Sequence, residues 1–258
     1  MLLRHARSLL FLPASNQRAI TKARTLPCDM VILDLEDAVP NDRKEEARAN
    51  AIEAAGEGFG GRLCAIRINV EGTPWHGPEM VAIKRSRADY VVLPKVESMK
   101  QVKDVFSVCQ RPVIAMIESA AGVLAATSIA AEEGTAGLFM GTNDLRQDLG
   151  IPPSAGREGL SFALQSVILS ARAARIAVFD GVFAAGHAIG FDGKTLIHPS
   201  QVPVANQVFG PDAQAVADAR RLIDAATGGA ERFEGRMIES MHVEEAKALV
   251  ARAEAVMP

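Results

Sequence analysis

Short apolar runs alternate along this chain with longer stretches whose apolar residues recur at helical spacing. The strand-like runs fall near residues 8–12, 30–35, 63–69, 90–93, 112–117, 137–141, 176–179 and 195–198, and helix-patterned segments include 42–55, 98–108, 120–133 and 158–173. Eight runs alternating with helices predict a (β/α)8 TIM barrel. The alternative, an open doubly wound sheet, would usually offer an early glycine-rich phosphate turn of the G-x-G-x-x-G type, and none occurs. Past the eighth run, helical spacing continues over 212–226 and 243–256. A glycine-rich, charged connector, Thr227-Gly-Gly-Ala-Glu-Arg-Phe-Glu-Gly-Arg236, joins the two. The expectation is a barrel domain over 1–210 with a C-terminal helical extension over 211–258. That extension is too small for a good core of its own, so it is read as an arm or lid packing on the barrel mouth or on a neighbouring subunit.

Acidic residues follow several of the runs. Glu118 comes directly after Pro112-Val-Ile-Ala-Met-Ile117, Asp144 closes Gly137-Leu-Phe-Met-Gly-Thr-Asn-Asp144, and Glu36 and Asp37 follow Met30-Val-Ile-Leu-Asp-Leu35. Alternating α/β folds keep their chemistry at the strand ends, and carboxylates gathered there repel one another unless a cation sits between them. The pattern therefore points to a divalent ion on oxygen ligands, Glu118 and Asp144, with Glu36 and Asp37 holding its bound water. Each carboxylate taken singly also fits a helix N-cap or a surface charge. Arg67, in an otherwise apolar run, fits either a catalytic cation or a buried salt bridge. Gly141, Thr142, Asn143 and Asp144 predict the start of a short helix whose free N–H groups would receive a substrate carboxylate, and an ordinary turn fits them too.

Composition narrows the classes. At 258 residues and 48% hydrophobic, the chain is long enough for one large core, and a formal charge of −3 argues against a nucleic-acid surface. Cys28, Cys64 and Cys109 are odd in number and widely spaced, which supports neither a disulfide framework nor a zinc site and fits a reducing cytoplasm. No apolar run is long enough to span a membrane, and the opening apolar stretch stops at Pro13, unlike a secretory signal. His198 is read as a structural histidine. Lys95 after Leu-Pro also fits a Schiff-base lysine, although no feature of the sequence lowers its pKa.

Seven motifs occur in a fixed order: Arg7-Ser-Leu-Leu-Phe-Leu-Pro13, Leu33-Asp-Leu-Glu-Asp-Ala-Val39, Arg67-Ile-Asn69 with Thr73-Pro-Trp75, Leu93-Pro-Lys95, Glu118, Gly141-Thr-Asn-Asp144, and Gly190-Phe-Asp-Gly-Lys194 with Ile197-His-Pro199. Together they resemble the citrate lyase beta-subunit-like family, which includes malyl-CoA and citramalyl-CoA lyases, and the match covers nearly the whole chain. The resemblance implies a carbon–carbon lyase that uses Mg2+, with Mn2+ as an alternative, and takes coenzyme A as part of its substrate. It would cleave or form a 3-hydroxyacyl-CoA from an acyl-CoA and a 2-oxo acid. Arg67 would stabilise the enolate, Glu118 and Asp144 would bind the metal, and residues 141–144 together with Arg67 would hold the oxo acid. Arg18, Lys22 and Lys95, and also Arg43 and Lys44, would meet the coenzyme A phosphates, although a solvated helix face fits Arg18 and Lys22 equally well. The implied assembly is a homo-oligomer, a trimer or hexamer, with no nucleic-acid or membrane partner.

Two departures from the family stand out. The segment between Asp180 and Gly190 is shorter than the usual loop and helix, which predicts a more open mouth. In the tail, Gly235-Arg-Met-Ile-Glu239 places a glutamate where the family has the aspartate that reaches a neighbour's site, one methylene longer. The rival readings are a class II-type aldolase acting on free 4-hydroxy-2-oxo acids, a malyl-CoA thioesterase, and a non-catalytic citrate-lyase-like subunit.

Overall fold

Two-residue alternation decides which side chains fill the barrel and which face its helices. In the computed structural model, which describes residues 1–152, 154–181, 184–226, 231–233 and 236–256, eight parallel strands close into one barrel in sequence order. They are β1 (Ser8–Pro13), β2 (Met30–Asp34), β3 (Leu63–Arg67), β4 (Tyr90–Leu93), β5 (Val113–Ile117), β6 (Thr135–Met140), β7 (Ala177–Asp180) and β8 (Gly193–Leu196). The crossovers carry α1 (Gln17–Ala23), α2 (Lys44–Glu57), α3 (His76–Lys84), α4 (Met99–Cys109), α5 (Ala120–Ala131), α6 (Thr142–Asp148) and α7 (Ser161–Ala173), and α8 (Val202–Val208) follows β8.

One set of alternate positions points inward. Leu9, Met30, Ile32, Ala65, Ile114, Phe139 and Phe179 form the barrel's own core, with the Phe139 and Phe179 rings edge to face at 5.2 Å between centroids. The other set, including Leu10, Val31, Leu33, Ile66 and Val178, packs under the helices in a second, larger core. Followed toward the strand ends, the inward series changes character: Met30 and Ile32 lead to Asp34, Ala65 to Arg67, Ile114 and Met116 to Glu118, and Phe139 to Gly141. The inward series therefore ends in Asp34, Arg67 and Glu118 above a largely apolar interior.

The sequence expectations hold for the eight strands with small shifts. β8 is the largest shift: it lies at Gly193–Leu196 rather than 195–198, because its first turn of pairing is made by a glycine and a lysine that carry no hydrophobic signal. Two short helices, α3 and α8, went unpredicted; each contains a proline in its first turns, His76-Gly-Pro and Val202-Pro, which reads as a break in sequence. Between β7 and β8 the described residues hold a 3-10 turn (Ala184–Ile189) and no α-helix, in keeping with the shortened segment.

The tail comprises α9 (Ala213–Ala225), β9 (Glu231–Phe233), β10 (Arg236–Ile238) and α10 (Ser240–Val256). β9 and β10 pair antiparallel, so the glycine-rich, charged connector includes a pair of short strands. α10 packs on α9, and Arg252 donates to the carbonyls of Asp192 and Phe209 at 2.6 and 3.0 Å. Asp192 directly precedes β8, so this anchor lies at the strand-start end of the barrel, opposite Glu118 and Asp144. All three cysteines are buried and unpaired, with burial raising the thiol pKa to about 11 at Cys28 and about 12 at Cys64 and Cys109, which leaves them unreactive. Among the described residues no helix is long and apolar enough to cross a membrane.

Candidate active site

A cavity of about 410 Å3 opens at the strand ends and is lined by Asp34, Asp37, Arg67, Glu118, Thr142, Asn143 and Asp144 together with apolar residues that include Phe11, Met116 and Met140. Its geometry follows from the register of neighbouring strands. Asp34 on β2 stands opposite Arg67 on β3, so two inward residues meet side by side at the top rung. Arg67 donates from Nε and Nη2 to the two oxygens of Asp34, both at 2.7 Å, in the fork geometry that a guanidinium makes with a carboxylate. Its Nη1 lies 2.7 Å from Glu36 and 3.7 Å from Asp37. The Glu36 contact is an ion pair of proximity rather than an aligned hydrogen bond, since that oxygen has no hydrogen-bond partner. The guanidinium also sits over the Phe11 ring, 5.1 Å from its centroid. Asp34 in turn accepts the backbone N–H groups of Glu36 and Ala38, which folds the acidic turn back over the arginine.

The salt-bridge reading of Arg67 is therefore realised. It is salt-bridged, and it lines the cavity. Each terminal nitrogen carries a second N–H beyond the one shared with a carboxylate, so donor capacity remains. Burial works against its charge, yet the hydrogen bonds to Asp34 and the nearby Glu36 and Asp37 hold its pKa above the ordinary value, so it stays a cation.

Glu118 is buried at the end of β5, where Oε1 accepts the Lys95 N–H at 2.6 Å. Lys95 reaches that position with φ at 51°, in the left-handed region that a non-glycine residue seldom adopts. On the other side, a Cβ at Gly141 would collide with the Glu118 carboxylate, so glycine is needed there for the acid to fit. Burial and the neighbouring Asp144 raise the Glu118 pKa, while Lys95 and Arg67 oppose them. Glu36 is pushed further, up to about 8, by burial and by Asp37, Glu118 and Asp34, against the pull of Arg67. Carboxylates outnumber cations here, and the site is short of positive charge.

α6 begins at Thr142 as expected, and Thr142 Oγ1 is buried at the cavity wall without a hydrogen-bond partner. Glu36 does not line the cavity but braces Arg67, whereas Asp37 is exposed at the rim. Several of the expected basic residues lie outside the cavity lining. Arg18 and Lys22 are exposed on α1, and neither lines the cavity. Arg43 forks onto Glu46 and donates to the Ser15 carbonyl. Lys44 is buried, with Nζ donating at 2.7 Å to the carbonyls of Leu35 and Glu36 and to Asn69 Oδ1, so it fixes the acidic turn instead of meeting a phosphate. Lys95 contributes its backbone to the site while its side chain is exposed outside the lining set, which leaves no ground for a Schiff base. His198 is exposed and hydrogen-bonds Ser200. Glu239 is exposed and outside this chain's own cavity.

The reading of the sequence missed Asp34, whose place inside an apolar run hid an inward partner for Arg67, and the support from Asn69 and Glu79. The Asn69 side chain donates to the Leu35 carbonyl and to Glu79, which also accepts the Asn69 N–H. The donor set at the top rung is all oxygen, and among the described residues no three or more His, Cys, Asp or Glu side chains converge into a metal cluster. Two carboxylates lining one cavity, with room for water and substrate oxygens, suit a magnesium ion and do not suit zinc.

The sequence profile of the HpcH/HpaI aldolase/citrate lyase family matches residues 7–199. The chain belongs to this family. It is 38% identical to a (3S)-malyl-CoA thioesterase of Cereibacter sphaeroides, over 97% of this chain and 95% of the relative. With the citrate lyase subunit beta of Escherichia coli it shares 30% identity over 97% and 94% of the two chains. Among solved structures, CitE of Mycobacterium tuberculosis in complex with magnesium, acetoacetate and coenzyme A superposes with a TM-score of 0.80 at 32% identity, covering 98% of this chain and all of that one. The thioesterase alignment runs to 274 positions, more than the 258 residues of this chain, so the relative carries residues that this chain lacks.

Proposed function

We propose that this protein is a magnesium-dependent carbon–carbon lyase acting on a 3-hydroxyacyl-CoA of the malyl-CoA or citramalyl-CoA type. The observation that carries the reading is that Glu118 and Asp144 line one cavity together with an arginine already held in place by Asp34. Glu118 and Asp144 would hold the ion, which when bound supplies positive charge to the oxo acid's oxygens. Cleavage breaks the bond between the hydroxyl-bearing carbon and the carbon next to the thioester. The hydroxyl proton leaves to solvent, and the bond's electron pair moves onto the thioester carbonyl oxygen. Arg67 would donate its unshared N–H groups to that oxygen, and because Asp34 fixes the guanidinium beforehand, little reorganisation is needed as charge builds. A proton then returns to carbon to complete the acyl-CoA. Glu239 would supply that proton from a neighbouring copy, since it does not line the cavity of its own chain. Residues 211–258 would thus serve as an arm between copies in a closed ring, expected as a trimer or hexamer by light scattering.

The second reading is thioester hydrolysis, favoured by the 38% identity to a malyl-CoA thioesterase. Incubation with malyl-CoA and Mg2+ separates the two. The lyase releases glyoxylate and acetyl-CoA with no free thiol, whereas free coenzyme A and malate without glyoxylate would replace it with the hydrolase.

A further inference from the structure

We propose that a second cavity, on the outer face of β8, is a binding site for a small aliphatic carboxylate the size of hexanoate, held by pairing with Lys194.

In a barrel of this kind a helix normally covers the outer face between neighbouring strands. Between β7 and β8 the described residues hold only the 3-10 turn Ala184–Ile189, and a cavity of about 260 Å3 lies against the outer face of β8. Lys194 and Leu196 belong to its lining. Strand alternation separates it from the candidate active site, because the intervening residues, Thr195 and Ile197, line the strand-end cavity instead. Its far wall is α8, where Gln201, Val204, Ala205 and Val208 recur at i, i+3, i+4 and i+7 and so share one face. Phe209 completes the apolar part.

The polar part of the lining sets the charge of the ligand. Lys194 is 7% exposed, and among the described residues its ammonium has no hydrogen bond or ion pair. Asp180 stands beside it in the β7–β8 register and attracts it, yet one oxygen of that carboxylate is paired with Arg157 and the other lies under Gly186, where a Cβ would collide with it. Burial lowers the Lys194 pKa, the mark of an amine short of a partner. Gln201 has donors to spare, since its Oε1 already accepts the N–H groups of Ile197 and His198 at 3.0 and 3.1 Å. Among the described residues no aspartate or glutamate lines the cavity. A carboxylate there would give the buried ammonium its counter-ion, with its chain against Leu196, Val204, Ala205, Val208 and Phe209. The mostly apolar wall disfavours a more strongly hydrated anion such as phosphate. The volume lies just below the roughly 300–1,000 Å3 of pockets that hold drug-sized ligands, so the chain is short.

The test is calorimetric titration of the intact protein with hexanoate, acetate and 1-hexanol. Hexanoate is expected to bind at least tenfold more tightly than acetate, which lacks the chain, and than 1-hexanol, which lacks the charge. Lys194→Met should weaken hexanoate at least tenfold. Val204 is 56% exposed, so Val204→Glu tests the same cavity without disturbing the core, and it should weaken hexanoate by a similar factor. Glu118→Gln should leave hexanoate binding unchanged; loss of binding there would place the ligand in the strand-end cavity and overturn the inference. No hexanoate binding, acetate or 1-hexanol binding as tightly as hexanoate, or full hexanoate affinity in Val204→Glu would overturn it as well.

Discussion

The two ends of the barrel use the same side chains to different effect. At the strand-start end two aspartates have dedicated cationic partners: Asp29 accepts the Arg7 backbone N–H, Nε and Nη2, and Asp192 accepts both terminal nitrogens of Arg172 and the Val178 N–H. Charge there is balanced locally, and the arrangement ties strand starts to the helix layer. At the strand-finish end the carboxylates of Asp34, Glu36, Asp37, Glu118 and Asp144 outnumber the cations that act on them, Arg67, Lys44 and Lys95, and burial raises the pKa of both Glu36 and Glu118. Balanced ion pairs hold a structure together, whereas an uncompensated cluster costs stability and persists where something else supplies the missing charge.

Substitutions at the two ends should separate accordingly. The largest effect is expected at Asp144: Asp144→Ala should lower turnover on malyl-CoA by about 10^3-fold or more with the fold intact by circular dichroism, since the ion's electrostatic contribution is lost. Arg67→Ala should lower kcat by about 10^2- to 10^3-fold with a smaller change in KM, as expected for a donor whose interaction strengthens in the transition state. It should also lower the melting temperature by leaving Asp34 buried and unpaired. A rise in KM with kcat unchanged would assign Arg67 to substrate binding instead.

The next effect is on stability against pH in metal-free protein. The Glu36 pKa rises from 4.5 to about 8 on folding, so the folded chain binds that proton more tightly than the unfolded one. Its contribution to stability is complete below about pH 4.5 and is lost as pH rises through about 8. Glu36→Gln should flatten this decline in urea titrations across that range, and an unchanged slope would show that Glu36 is not its source. At the opposite end, Asp29→Ala should cost about 3 kcal/mol of stability while leaving kcat of the folded enzyme unchanged. The smallest effect is expected on α1, where Arg18→Ala and Lys22→Ala should alter KM for the acyl-CoA by less than about twofold, as exposed charges usually do.

Much of the fold was legible because a parallel strand buried on both faces leaves a continuous apolar run, and the acids after those runs marked the mouth. What could not be read depends on closure of the barrel. Asp34 and Arg67 are 33 residues apart and meet only through the β2–β3 register. Lys44 looked like part of a basic cluster with Arg43, yet as the first residue of α2 it turns inward to three oxygen acceptors. The role of Lys95 lies in a backbone N–H at positive φ, which no side-chain pattern reveals. α3 and α8 were hidden by prolines that begin helices as readily as they end them.

In the proposed function, the surplus of carboxylates at the strand ends would hold one magnesium ion between Glu118 and Asp144. Calorimetric titration of the intact protein with Mg2+, beside Glu118→Gln and Asp144→Asn, is the decisive experiment. One ion per chain is expected in the wild type, with binding lost in both variants; undiminished Mg2+ affinity in either variant would remove that residue from the metal site.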